Sequence, residues 1–500
     1  MNMEFDYIIV GGGSAGAIMA RRLADANVGT VVLIEAGKSD EGDETLLDIT
    51  RVYDQSPEMD WGFAASRFPQ GPADLNYSRA KVLGGCGSHN DCAYIEPPPS
   101  DFEEWIRLGA EGWGPQDTQR YFRKLREVIS VEKRPASHPL SAAFLNAGRE
   151  LGLEVVDFAT HPGAGIGMLS LNAKGRLRQS SSVAYLHPLK QAPRNLCIMT
   201  ETFVSRIIFR GINTVGCETD RGNIIARREV IVTAGAIQTP QLLMTSGIGD
   251  AGHLTEFGIT PVINLPGVGQ NLMDHFSSSV IFKTREPIPP WDVSPYEAIM
   301  MLNISGRQAT PDVLCHFGLS VGSPDGRHGA DSAKSQYRTD LVDIAPNIAR
   351  PKSRGQVRIK AQDPRVSPVI DLGYFTDRDG SDMALMLSAL KFCRQFGETN
   401  SFRSVIKREK SPGVGLGSDD ELILHILNTC ETVYHACGTC KMGDRADPLS
   451  VVTPDLRVKG VRGLRVCDAS IIPSIPSVNI NSTVMMIGER GADLIAHDVS

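Results

Sequence analysis

Three groupings in the sequence have residue types and spacings that could do chemistry: a glycine run near the start, a histidine beside two cysteines near the end, and serines that an aspartate and a histidine could serve. Gly11-Gly12-Gly13-Ser14-Ala15-Gly16 fits GxGxxG at Gly11, Gly13 and Gly16. In that motif the first glycine permits a tight turn, the second lets backbone approach a pyrophosphate, and the third lets a helix pack closely on a strand. The phosphates then rest on the helix N-terminus. Glu35 follows about 20 residues on, where a carboxylate accepts hydrogen bonds from a ribose hydroxyl pair and disfavours a 2′-phosphate. The motif implies a dinucleotide and does not choose between FAD and NAD.

Cys437-Gly438-Thr439-Cys440, just after His435, has the form of a redox pair or of half a metal site. A zinc site needs a second ligand pair at matching spacing, and a thioredoxin-type pair needs a βαβ context. The sequence supplies neither, so no metal is expected. Ser180-Ser181-Ser182 with Asp274-His275 contains the residue types of a hydrolase triad, but lacks the GxSxG turn that would expose the nucleophile.

These groups need elements to position them. Phe5 to Val10 is β-branched and apolar and ends at the glycines, as a buried parallel strand should. Ala15, Ile18, Met19 and Leu23 recur at helical spacing before a second apolar strand, Thr30 to Ile34, which makes a βαβ unit. Helices are expected at Asp117–Val128, Ser141–Leu151, Ile237–Thr245, Ser381–Phe396, Asp419–Asn428 and Ser482–Ala496. Strands are expected at Leu196–Thr200, Val204–Phe209, Glu229–Thr233, Val357–Ile359 and Leu464–Val466. Pro135–Pro139, Pro287–Pro290 and Gly322–Ala330 read as loops or crossings.

Five hundred residues exceed one compact core, and two domains are expected. A net charge of −7 and the lack of a basic run argue against nucleic acid as a partner. No apolar stretch reaches the roughly 18 residues of a membrane span, and the acidic residues Glu4 and Asp6 do not suit a signal peptide. Ten irregularly spaced cysteines suggest reduced thiols and a cytoplasmic protein.

Four further stretches resemble the glucose-methanol-choline (GMC) oxidoreductase family. Arg79 to Asn90 is similar to its first signature, and Gly235 to Gly249 matches its second. Pro266 to His275 is another family stretch, and Val466-Cys467-Asp468-Ala469-Ser470 resembles the segment that meets the cofactor. The resemblance implies FAD and a glutathione-reductase-type, Rossmann-like FAD-binding domain (residues 1–137, 190–275 and 433–500). An α+β substrate domain on an antiparallel sheet is interleaved with it (138–189 and 276–432). The implied cofactor contacts are Gly11, Gly13, Ser14, Ala15 and Gly16; Glu35 and Ala36; and Arg79, Val82, Gly84, Gly85, Ser88, His89 and Asn90. They continue with Val204 beside the adenine, Ala234, Gly235, Asp468, Ala469, Asn479 and Thr483.

Ser88-His89-Asn90, Thr432-Val433-Tyr434-His435 and Val478 to Arg490 are most similar to the choline oxidase-like members of the family. By that similarity His89 bonds covalently to the flavin, a non-covalent role being the alternative. Taking hydride from an alcohol carbon also requires a base for the hydroxyl proton. Of the eleven histidines, the resemblance selects His435, with Asn479 as its neutral partner and Asn481 as a structural neighbour. The position where those relatives carry a glutamate for a trimethylammonium group is Ser277 here, which argues against choline. His316, Asp91 and Val433 complete the expected pocket. The expected reaction is FAD-dependent oxidation of an alcohol to an aldehyde or ketone, with oxygen or another acceptor reoxidising the flavin. A hydroxynitrile lyase that keeps FAD without net redox chemistry is the alternative, and family precedent points to a homodimer.

Overall fold

The computed structural model describes residues 3–52, 54–136, 138–159, 163–188, 193–289, 294–306, 310–319 and 340–498. The expected loop at Gly322–Ala330 lies outside them.

The run Tyr7-Ile8-Ile9-Val10 is the buried end of a strand, Met3–Val10, paired in parallel with Val31–Ile34 on one side and with Gly222–Val232 on the other. A strand flanked on both sides and covered on both faces has no polar face, which is why its sequence does not alternate. The helix Gly16–Asp25 returns the chain across the sheet and buries Ile18, Met19 and Leu23 completely. Each such side chain contributes about 1.5–3 kcal/mol to folding. Gly16 must be glycine for this approach, because a Cβ there would stand 2.0 Å from the Gly11 carbonyl oxygen.

Around this unit runs a seven-stranded sheet in the order Leu196–Met199, Val31–Ile34, Met3–Val10, Gly222–Val232, Asn213–Thr219, Val204–Arg210. Leu464–Val466 also pairs with Gly222–Val232. The strands nearest the helix N-terminus are parallel, whereas Val204 to Val232 forms an antiparallel meander.

A second sheet, of eight antiparallel strands, has the order Ile406–Ser411, Val280–Thr284, Leu341–Ile348, Val313–Gly318, Tyr296–Leu302, Gly165–Met168. The short strand Phe276–Ser277 joins it, pairing with Leu341–Ile348 and with Glu431–Thr432. Alternation along Val313–Gly318 shows how its two faces differ. Phe317 stacks on Phe144 of the helix Pro139–Glu150 with ring centroids 4.4 Å apart, and Phe396 stacks behind Phe144 at 5.1 Å. His316 points the other way, into a cavity between the two sheets. The helical cover on one face and the cavity on the other fix where the chemistry can lie. This is the mixed α/β architecture expected, with a Rossmann-like parallel sheet and a separate antiparallel one.

Candidate active site

His435 follows the strand Glu431–Thr432, and the chain turns sharply to present it. Tyr434 takes the left-handed conformation (φ +66°), an arrangement that a bulky residue keeps only where its surroundings hold it. Arg79 supplies one such hold, its Nη1 donating to the Tyr434 carbonyl oxygen at 2.8 Å. Asp274 supplies another. Its Oδ1 accepts from the backbone N–H of His435 at 2.8 Å, and its Oδ2 accepts from the hydroxyls of Thr432 (2.6 Å), Tyr374 (3.0 Å) and Tyr77 (3.1 Å). Burial pushes the Asp274 carboxyl upward in pKa, while these hydroxyls and the Arg79 charge oppose that rise. Gly438 lets the segment close on its neighbour, since a Cβ there would meet Asn271 O at 2.6 Å.

The His435 ring stands edge-on to His275, with centroids 5.1 Å apart and planes at 86°. The two Nδ1 atoms are 2.9 Å apart, and His275 Nε2 lies 2.8 Å from the Ala349 carbonyl oxygen. On the other side, His435 Nε2 is 3.3 Å from Asn479 Nδ2. Asn479 Oδ1 is 3.3 Å from His316 Nε2, and His316 Nδ1 is 3.1 Å from Asn347 Nδ2. Burial, joined by the charges that His275, His316 and Arg79 can carry, holds His435 well below the usual histidine pKa. Burial likewise brings His275 and His316 down to about 4. All three imidazoles are therefore neutral at neutral pH, and a neutral imidazole can act as a base.

The glycine turn lies at the other end of the same cavity, whose volume is about 650 Å³. Glu35 ends the second strand. Its Oε2 accepts from the Gly12 N–H and its Oε1 from the Gly37 N–H, both at 2.8 Å. Burial pushes its carboxyl up to about 6 against the pull of these N–H groups. Ser14 Oγ donates to Asn481 Oδ1 at 2.9 Å, which ties the turn to the start of the final helix, Asn481–His497.

The sequence matches the family model described as GMC oxidoreductase in two parts, an N-terminal one over residues 5–277 and a C-terminal one over residues 351–488. The chain belongs to the GMC oxidoreductase family. Choline oxidase of Arthrobacter globiformis is 35% identical, over 98% of this chain and 94% of that protein. Oxygen-dependent choline dehydrogenase of Brucella ovis is 33% identical, over 99% and 96%. Among solved structures, pyridoxine 4-oxidase from Mesorbium loti superposes with a TM-score of 0.89 at 27% identity, covering 98% of this chain and 99% of its own. This GMC oxidoreductase is an FAD-dependent alcohol oxidoreductase.

The residues present in the GMC oxidoreductase fit FAD. A Cβ added to Gly13 would meet only Gly85 Cα, at 3.9 Å, and one added to Gly235 would meet nothing within 4 Å, so both border space that a larger residue would fill. The helix Gly16–Asp25 has no acidic residue in its first turn, which suits a pyrophosphate. A carboxylate offers about four acceptor sites, so Glu35 has capacity for ribose hydroxyls beyond its two backbone donors. Arg79 Nε and Nη2 are buried with no hydrogen-bond partner among the described residues.

The cavity wall takes in every residue singled out from the sequence for the cofactor, the base or the pocket, except five. Gly16 lies beneath the Gly11 carbonyl. Val82 and Gly84 hold the turn from behind through Gly85 N–H to Val82 O (2.9 Å) and Gly84 N–H to Gly12 O (2.7 Å). Ser88 donates to the Leu83 carbonyl (2.9 Å), and Thr483 is wholly buried in the final helix. Asn481, expected to be structural, also lines the cavity.

Sequence reasoning missed Asp274, His275 and Asn347 as partners of the site, and Asp343 and Glu431 as parts of its wall. The Asp-His pair was visible, but nothing local tied it to a histidine 160 residues away. The triad serines go elsewhere: Ser180 accepts from Val183 N–H, and Ser182 donates to Asp40. Cys437 and Cys440 are fully buried, and the described residues contain no group of three or more potential metal ligands. Nor does any described helix have the length and apolarity to cross a membrane.

Proposed function

We propose that this enzyme oxidises a polar alcohol other than choline, with His435 as the base and Asn479 as its neutral partner. The observation that carries the reading is that His435 and Asn479 share one cavity with the glycine turn and Glu35. Bound FAD supplies the acceptor for the hydride. His435 Nε2 takes the hydroxyl proton, and the imidazolium that forms offsets charge growing on the substrate oxygen. The Asn479 amide donates to that oxygen and orients it.

The proposed cofactor unit comprises residues 1–137, 190–275 and 433–500, and the substrate unit comprises 138–189 and 276–432. The split between the two sheets supports this division. His89, on the cavity wall, is the proposed point of covalent attachment, and acid precipitation tests it because a bonded flavin stays with the pellet. Ser277 carries no charge to meet a quaternary ammonium ion. The carboxylates of Asp91, Asp343 and Glu431 also line the cavity. These acceptors suit an alcohol that brings its own hydrogen-bond donors, and the reading against choline rests on Ser277. The ten free cysteines support a reducing compartment such as the cytoplasm.

The test is anaerobic mixing of the holoenzyme with sugars, amino alcohols, aromatic alcohols and simple primary alcohols while the flavin absorbance is followed. At least one class should bleach it, whereas a lyase would leave the flavin oxidised with all of them. His435→Ala should retain FAD and slow bleaching at least about 10²-fold, the lower range of what a placed base contributes. Bleaching at the wild-type rate in that variant would remove His435 from the role.

A further inference from the structure

We propose that His275 is a positioning residue that fixes which nitrogen of His435 is the base, through a hydrogen-bond chain running in one direction across the site. The inference rests on the reading of His435 as the base. It follows from which atoms can only accept and which can only donate.

The Ala349 carbonyl oxygen can only accept, so the His275 Nε2 that faces it at 2.8 Å carries the proton. A neutral imidazole has one proton, so His275 Nδ1 is a lone pair. His435 Nδ1, 2.9 Å from that lone pair, must then donate, which leaves His435 Nε2 unprotonated. The far end of the chain gives the same result independently. Asn347 Nδ2 faces two backbone carbonyl oxygens, Leu314 at 2.9 Å and Ala345 at 2.8 Å, so the amide nitrogen lies on that side. An amide nitrogen cannot accept, so His316 Nδ1, 3.1 Å away, presents a lone pair to it and His316 carries its proton on Nε2. That proton goes to Asn479 Oδ1, which turns the Asn479 amide nitrogen toward His435 Nε2. A lone pair is what that nitrogen requires. His316, Asn479, His435 and His275 thus donate in sequence and end on Ala349. Bonds in such a series polarise one another in the same sense.

The functional result is a base presented at Nε2, on the side of Asn479. When Nε2 receives the hydroxyl proton it releases the Asn479 N–H, which then serves the substrate oxygen, while the imidazolium keeps its Nδ1 proton on His275. Asp274 grips the backbone of His435 while its neighbour His275 grips the ring, so the Asp-His dipeptide sets both the place and the tautomer.

The test has one spectroscopic and one kinetic arm. Holoenzyme labelled with 15N-histidine, with the His435 signals assigned by their loss in His435→Ala, should show Nδ1 protonated and Nε2 unprotonated at pH 7. A protonated Nε2 would overturn the proposal. In the kinetic arm, both variants are compared at equal FAD content. His275→Asn places an oxygen acceptor where Nδ1 stood and should keep kcat within a few-fold. His275→Ala should lower kcat by about 10²-fold with KM little changed. Equal losses in the two variants, or no loss in either, would sink the assignment to His275. Turnover by His435→Ala at the wild-type rate would strike instead at the base itself, while the tautomer read by NMR would still stand or fall separately.

Discussion

Asp274→Asn is close to isosteric, yet it should disturb the site through hydrogen bonding alone. The carboxylate accepts from four donors, the His435 N–H and three hydroxyls. Hydrogen bonds to a charged group contribute about 1.5–3 kcal/mol each, against about 1 kcal/mol for neutral ones. Losing the charge therefore removes roughly 1 kcal/mol from each bond, and the new amide N–H groups force the hydroxyls to turn and accept. Relief of the buried charge, whose burial raises the carboxyl pKa, returns part of that loss. A net destabilisation of about 2 kcal/mol is expected. Expressed wholly as misplacement of His435, the same figure is about 30-fold in rate. Urea unfolding at unchanged m-value reads the first quantity, and anaerobic flavin reduction reads the second. An unaltered midpoint together with reduction within twofold of wild type would refute the view that this carboxylate holds His435.

Glu35 has a folded pKa of about 6 against an ordinary 4.5, so in the cofactor-free protein the folded state binds its proton more tightly than the unfolded chain. Its contribution is full below pH 4.5 and falls by about 2 kcal/mol as pH rises through 6; Glu35→Gln should lack that slope, and identical pH-stability curves for the two proteins would contradict it. Burial pushes the Cys86 thiol up, but the hydrogen bond with His89 and the Arg79 charge outweigh it and bring the thiol down to about 6. Iodoacetamide should therefore modify Cys86 ahead of the other nine cysteines with a midpoint near that pH, and peptide mass spectrometry showing equal or later labelling would count against the thiolate.

The βαβ unit was legible because its signals are local: a glycine cluster, a helical period and two apolar runs within 35 residues of sequence. The helices read from Asp117 and from Ser141 begin two residues earlier. Pro115 and Pro139 occupy the first turns of their helices, where the missing N–H has no intrahelical partner to lose. The antiparallel sheet was harder to see. Leu341–Ile348 is buried throughout and contains Asp343, Pro346 and Asn347, so it shows neither alternation nor an apolar run. Asp343 lines the cavity and Asn347 meets His316, so the site overrides the local pattern there. The meander before Val232 was read only in part, because Arg227, Arg228 and Glu229 interrupt its apolar character. His435 and Asn479 were reached through family resemblance. The ring of His275 was not, because a contact between distant segments leaves no mark in either one alone.

The tie between Ser14 and Asn481 spans 467 positions of the chain, as does the bond from Arg22 to the buried carboxylate of Glu489. A ribosome releases Ser14 of the glycine turn 467 residues before Asn481, in the segment that walls it. Until that segment emerges the nascent protein holds an unfinished pocket, so the cradle is complete only when both have been made. Any truncation that removes the final helix opens the cradle from behind, however intact the motif at the beginning remains.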